Sequence, residues 1–261
     1  MSENINQQSN KVYISLTSIY QNQDILLHTL HSIINQTKLP DKIFLYLSEE
    51  EYILDKGFKN KNITNIDLLN FINNNEIISL NWVKNTGPYR KLLPLLKDKW
   101  SEDCVIITID DDTIYDNNLI KNMLEDYNKF KCVINYRSFT PLFINFKEFN
   151  YEKKEKLKDL SLYNFPTGKG GILYHPSFFY KTEELIFNEN IYLKLCDKQD
   201  DVWFYIIRVL NNIGCYGKRR KWLEKDISKR GLFVVYNNKN NNNTIVFKNV
   251  IKKLEELNYK F

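Results

Sequence analysis

Val105-Ile106-Ile107-Thr108-Ile109-Asp110-Asp111-Asp112 is the stretch on which the fold turns. Five β-favouring residues run, without polar alternation, into three carboxylates. A run of that kind forms a strand buried on both faces, the usual setting in a parallel sheet. The strand stops where the charges begin. Three adjacent carboxylates repel one another and need water or a cation. At the carboxyl end of a parallel strand they make a site for a hard divalent ion such as Mg²⁺ or Mn²⁺. In an extended chain Asp110 and Asp112 share one side and Asp111 faces the other. A solvated acidic turn before a helix starting near Asn117 accounts for the triplet taken alone equally well.

Upstream, Lys11 to Leu16 reads as a strand with Thr17 and Ser18 at its carboxyl end. Asp24 is placed to cap a helix from Ile25 to Asn35, whose apolar face holds Ile25, Leu26, Leu30, Ile33 and Ile34. Lys42 to Leu47 is a second strand, and strand–helix–strand spacing implies a parallel βαβ unit. His28 and His31 share that helix without a neighbouring carboxylate or Cys cluster, so they read as surface or packing residues. Residues 49–61 are charged and irregular, Ile63 to Asn73 reads as a helix, and Ile77 to Val83 as a third strand. The turn Asn85-Thr86-Gly87-Pro88-Tyr89-Arg90-Lys91 leads into a helix through Leu92 to Lys97. Arg90 and Lys91 oppose the dipole of that helix. They make better sense holding phosphate beside its free N–H groups, although an ordinary exposed basic loop would look the same.

Downstream, Asn117 to Phe130 reads as a helix and Cys132 to Tyr136 as a strand. The charged stretch 146–160 reads as an exposed helix or excursion. Thr167-Gly168-Lys169-Gly170-Gly171 then suggests backbone approaching a ligand before re-entering a strand; the spacing is not that of a P-loop. Asp200 and Asp201 open a helix with Val202, Ile206, Val209 and Leu210 on its apolar face. Carboxylates there are favoured by the helix dipole whether or not they have a function. Seven Lys/Arg fall within residues 218–230, either a solvated surface or a contact for phosphates or an anionic membrane. Residues 237–243 read as a loop, and Ile245 to Tyr259 as an amphipathic helix.

Composition sets the outer limits. The 261 residues are 43% hydrophobic and 14% aromatic, enough for a sizeable core, and the net charge of +5 is mild. No apolar run is long enough to cross a bilayer, and residues 1–10 are polar and read as disordered, without a signal-peptide core. Cys104, Cys132, Cys196 and Cys215 are scattered, which suggests reduced core residues of a cytosolic protein rather than zinc or redox pairs. Basic and aromatic residues do not cluster widely enough for a nucleic-acid binder.

Five segments in order, residues 17–48, 85–97, 107–120, 167–174 and 200–212, resemble a GT-A glycosyltransferase of the family 2 type. The resemblance covers about Val12 to Ile213. It implies a single Rossmann-like α/β domain over residues 11–236, with a donor half to about residue 115 and an acceptor half beyond it. It also implies a nucleotide-diphosphate sugar as donor, UDP-linked by preference, and a glycan, protein or lipid-linked hydroxyl acceptor. Asp110 and Asp112 match the DxD motif that holds Mn²⁺ or Mg²⁺, with Asp111 beside them. Thr17 and Ser18 match the nucleoside loop. Asn85, Gly87, Arg90 and Lys91 match the turn near the nucleotide, and Gly170 and Gly171 match the segment flanking the donor sugar. Asp200 and Asp201 match the acidic pair from which the base of an inverting displacement is drawn. One departure is the lack of any histidine after His175, where many GT-A enzymes carry a further metal ligand. A nucleotidyltransferase making nucleotide sugars, or an inactive carbohydrate-binding scaffold, shares the fold.

Overall fold

A computed structural model describes residues 11–142, 148–218, 224–227 and 242–260. β1 (Lys11–Thr17), β2 (Lys42–Leu47), β3 (Ile78–Trp82) and β4 (Cys104–Thr108) run parallel in the order β3-β2-β1-β4. β4 is the buried run of the central stretch, and all five of its residues are buried. Buried side chains on both faces of a strand require cover on both faces, which the crossover helices provide. α1 (Gln23–Ile34) buries Ile25, Leu26, Leu30 and Ile33, and α2 (Ile66–Asn73) is capped by Asn65, whose side chain accepts the Leu68 N–H. α3 (Leu93–Asp98) precedes β4.

The sheet then departs from the all-parallel expectation. After β5 (Thr113–Tyr115), α4 (Leu119–Phe130) and β6 (Val133–Asn135), the chain leaves the sheet for a hairpin of β7 (Thr140–Leu142) and β8 (Asn150–Glu155). The charged 146–160 stretch is therefore an excursion carrying a strand, not a helix; residues 143–147 lie outside the described set. β9 (Leu160–Ser161) and β10 (Ile172–Tyr174) return to the sheet. β10 inserts antiparallel between β4 and β6, and the eight strands follow the order β3-β2-β1-β4-β10-β6-β11-β9, with β11 at Cys215–Gly217. β9 is also antiparallel to its neighbour, β11.

The second half of the chain packs around α7 (Asp200–Leu210), preceded by α5 (Glu183–Ile186) and α6 (Glu189–Leu195). Every residue of α7 from Val202 to Val209 is buried, so it is a central helix rather than one with a single apolar face. β12 (Glu224–Asp226) pairs antiparallel with β5. α8 begins at Asn242, three residues before the sequence suggests, and runs to Glu256. It buries Phe247 against Phe149 of the hairpin, ring centroids 3.7 Å apart. The loop expected over 237–243 lies outside the described residues up to 241, as do residues 1–10 and most of the basic stretch 218–230. The four cysteines are free and buried. Among the described residues no helix is long and apolar enough to cross a membrane.

Candidate active site

The carboxyl end of β4 and the amino end of α7 meet beneath the turn Gly168–Gly170, and a lysine joins them. Lys91 Nζ lies 3.0 Å from Asp110 Oδ1 and 2.9 Å from Asp200 Oδ2, with 9% of its side chain exposed. The basic turn of residues 87–91 is a short 3-10 helix that faces inward, so both Arg90 and Lys91 are buried. Burial alone would depress the Lys91 ammonium, but Asp110, Asp200 and Asp201 outweigh it and hold the lysine protonated well above its usual range.

Asp201 sits beside this bridge, partly exposed. The Gly168 N–H lies 3.2 and 3.1 Å from its two oxygens. Burial, and then repulsion from Asp200, push its carboxyl up to about 7; Lys91 and the Gly168 N–H work against the rise, and Asp110 adds to it. Asp200 is only 7% exposed and spends its charge on Lys91. The two members of the acidic pair therefore have different environments, a distinction the sequence does not carry.

The other two members of the triplet turn in different directions. Asp111 accepts from Ser18 Oγ and, at 3.1 Å, from Asn22 Nδ2, which ties the loop after β1 to the end of β4. Burial, and then the charge of Asp112, raise the Asp111 carboxyl to about 7 against those two hydrogen bonds. Asp112 Oδ1 faces Lys169 Nζ at 3.9 Å, and Lys169 pairs with Asp226 Oδ2 at 2.6 Å. Tyr115 fixes this edge: its hydroxyl accepts the Asp110 N–H at 3.0 Å and donates to the Lys169 carbonyl at 3.1 Å.

The expected donor-binding residues divide into two groups. Ser18 and Asp111 bond to each other, and Lys91 pairs with Asp110, one of the two expected metal ligands. Arg90 does not project into the crevice: its Nη2 pairs with Asp55 Oδ2 at 3.0 Å, the two side chains being 1% and 2% exposed. Asn85 Nδ2 donates to the same Asp55 oxygen at 3.1 Å, and Asn85 Oδ1 accepts the Gly87 N–H at 3.1 Å. Arg90 and Asn85 therefore brace the loop floor around Asp55. Gly87 has φ +64°, a conformation that favours glycine. Thr17 Oγ1 is engaged across the sheet with the Tyr46 carbonyl at 2.7 Å.

The glycine turn is likewise sorted by contact. A Cβ at Gly170 would lie 2.4 Å from Arg137 Cβ, and Gly171 has φ +69°, so packing and backbone conformation by themselves call for glycine at these two positions. Gly168 is the one over the charged cluster. A Cβ there would lie 2.6 Å from Lys91 Nζ, 3.1 Å from Asp110 Oδ1 and 3.3 Å from Asp201 Oδ1. Gly168 and Lys169 stand in the motif but are not singled out from it by sequence. Asp55, in the irregular stretch 49–61, and Asp226, an acidic residue within the basic stretch 218–230, are not singled out by sequence either. His175 has a structural role away from this site, paired with Asp103 at 3.0 Å.

As to metal, no group of three or more His, Cys, Asp or Glu placed to hold an ion exists among the described residues. Asp110 and Asp112 supply hard oxygen donors from two side chains. That set suits a cation of the Mg²⁺ type, which one or two carboxylates hold together with substrate phosphates and water. It fits an ion shared with a bound diphosphate better than one held by the chain alone.

A mostly parallel sheet flanked by helices, with an acidic crevice at the carboxyl end of its central strand, defines a Rossmann-like α/β fold of the GT-A type. Solved structures share it. S. aureus TarS 1-349 matches with a TM-score of 0.51 and 13% identity, over 82% of this chain and 59% of that chain. The same fragment in complex with UDP matches with a TM-score of 0.51 and 11% identity. 4-Diphosphocytidyl-2C-methyl-D-erythritolsynthase from Anaerococcus prevotii DSM 20548 matches with a TM-score of 0.51 and 10% identity, over 93% of this chain and 99% of that chain. The chain spans 38% of the longer TarS structure. At these identities the likeness is one of fold. No protein-family model and no curated protein matches the chain.

Proposed function

We propose that the chain is a glycosyltransferase that moves a sugar from a nucleotide-diphosphate sugar to a hydroxyl acceptor, by a single displacement that inverts the anomeric centre. The observation that carries the reading is the Asp110–Lys91–Asp200 bridge, with Asp201 beside it under Gly168. Transfer from such a donor needs positive charge at the departing diphosphate and a carboxylate near the attacking hydroxyl. The crevice offers the carboxylate in Asp201, with Lys91 neutralising its neighbour Asp200, and oxygen donors at Asp110 and Asp112 for a cation. Ser18, Asp111 and Asn22 hold the loop after β1 against the triplet, where a nucleoside would lie at the carboxyl end of the sheet. UDP is the favoured nucleotide, in keeping with the UDP complex of the TarS fragment.

Asp201 takes the role of base. It is the more accessible carboxylate of the pair, and its raised basicity suits removal of a hydroxyl proton. Lys91 neutralises Asp200 and so leaves one ionised carboxylate facing the acceptor side. Gly168 orients it through its N–H. Asp110 and Asp112 would hold Mn²⁺ or Mg²⁺ jointly with the diphosphate. The ion when bound would supply charge for the leaving group.

The likeness to 4-diphosphocytidyl-2C-methyl-D-erythritolsynthase over nearly the whole of both chains favours one second reading, nucleotidyl transfer. One incubation separates the two. A panel of nucleotide sugars, given to the protein with Mn²⁺ and without acceptor, is assayed for free nucleoside diphosphate. In parallel, nucleoside triphosphates with sugar phosphates are assayed for pyrophosphate. Slow release of nucleoside diphosphate from one donor is expected. Pyrophosphate release alone would replace the transferase reading with the nucleotidyl one.

A further inference from the structure

Resting on that reading of the crevice, we propose that Lys169 is a diphosphate-binding residue of the donor site, held ready by Asp226. Three observations place it there. First, its backbone is fixed relative to the triplet, because the Tyr115 hydroxyl links the Lys169 carbonyl to the Asp110 N–H. Second, its ammonium stands at the edge of the acidic crevice, 3.9 Å from Asp112 Oδ1 and 2.6 Å from Asp226 Oδ2, with 18% of the side chain exposed. Third, the partner that holds it is brought in from far along the chain. β12 pairs with β5 immediately after the triplet, and the Ile227 N–H donates to the Asp112 carbonyl at 3.0 Å.

The chemistry follows from donor count. An ammonium carries three N–H donors. Asp226 is within hydrogen-bond distance, whereas Asp112 at 3.9 Å attracts the charge without taking a hydrogen bond. The ammonium thus retains capacity for phosphate oxygens on the side of Asp112, where a diphosphate bound at the triplet would present them. Asp226 is 60% exposed, so its hold on the lysine is weakened by solvent and can yield to a doubly charged ligand. Lys91 cannot fill this role, since it is buried between Asp110 and Asp200. Lys169 therefore gives the site a positive charge of its own toward the leaving group, beside any divalent ion.

The test compares affinities for each common nucleoside diphosphate and its monophosphate, by calorimetry, in EDTA and again with Mn²⁺. The full chain is used as wild type, Lys169→Met, Lys169→Arg and Asp226→Asn. Wild type should prefer the diphosphate over the monophosphate even in EDTA. Lys169→Met should lose roughly ten- to a hundredfold in diphosphate affinity, the scale of a charged hydrogen bond, and little in monophosphate affinity. Lys169→Arg should keep most of the preference, and Asp226→Asn should keep or strengthen it by freeing the ammonium. An unchanged diphosphate preference in Lys169→Met would reduce Lys169 to a counter-ion of Asp226, with the transferase reading intact. Equal losses in Lys169→Met and Asp226→Asn would make the pair a structural strut and also overturn the proposal. If no nucleoside diphosphate binds wild type with or without Mn²⁺, the reading of the crevice falls, and this inference with it.

Discussion

On the reading of Asp201 as the base, one residue is both costly to the fold and useful to the reaction. Its carboxyl is raised to about 7 by burial and by Asp200, and Asp110, Tyr151 and Tyr174 also face it, with Lys91 as the opposing cation. The base form is the carboxylate, so transfer should rise with pH through about 7 and fall about tenfold per unit below it. Stability runs the other way. A carboxyl whose pKa is raised on folding contributes fully only below its ordinary value, and that contribution is lost as pH climbs through about 7. Asp201→Asn removes both effects. Transfer should drop by roughly 10²–10⁴-fold with donor affinity nearly unchanged. Thermal unfolding at pH 8 should move up by a few degrees, about 2–4 °C per kcal/mol recovered, with the gain shrinking toward pH 4. A variant with wild-type turnover, or one less stable at pH 8 than wild type, would contradict the assignment. Sequence alone put Asp201 forward as the base with Asp200 as its rival, and only the fold shows that Lys91 pairs with Asp200.

At the scale of elements, the turn over Gly168–Gly170 matters more than its glycine count suggested. Three glycines in four positions signalled close backbone approach, and the approach is real: Gly170 and Gly171 lie against Arg137, Met123 and Leu119, and Gly168 against Lys91, Asp110 and Asp201. The four parallel strands β1 to β4 were legible because each is a short run rich in β-favouring residues with turn residues at its ends. β10 was legible as a strand but not in direction, since three residues carry no record of which neighbour they run against. The hairpin strand β8 was missed because four of its six residues are exposed, which leaves no apolar alternation to read. Gly168→Ala tests the turn. Its backbone is not in the left-handed region, so folding should be largely preserved. The added methyl would press on Lys91 Nζ, a buried side-chain end pinned between two carboxylates. Turnover should fall by about 10²-fold, the usual scale for a small misplacement in a catalytic cluster, while the melting temperature changes little. Full turnover in Gly168→Ala would show that Lys91 and Asp201 need not hold these positions.

Over the whole molecule, the sheet does not divide at residue 115. β10 comes from beyond the triplet, yet it fills the middle of the sheet and covers the edge of β4. During synthesis β4 emerges with five wholly apolar or β-favouring buried residues and waits for its neighbour. The interval from Thr108 to Ile172 is 172 − 108 = 64 residues, about 3–13 s at common ribosomal rates of roughly 5–20 residues per second. An open, flat, apolar edge is a template for pairing between chains. A fragment of residues 11–115 should therefore be recovered as aggregate, whereas the chain carried through residue 260 stays dispersed; light scattering after expression of each would report it. A dispersed, folded 11–115 fragment would mean that β4 tolerates its bare edge. The placement of β10 makes the nascent chain dependent on whatever shields it in the cell for those seconds, so variants that delay β10 should cost yield before they cost catalysis.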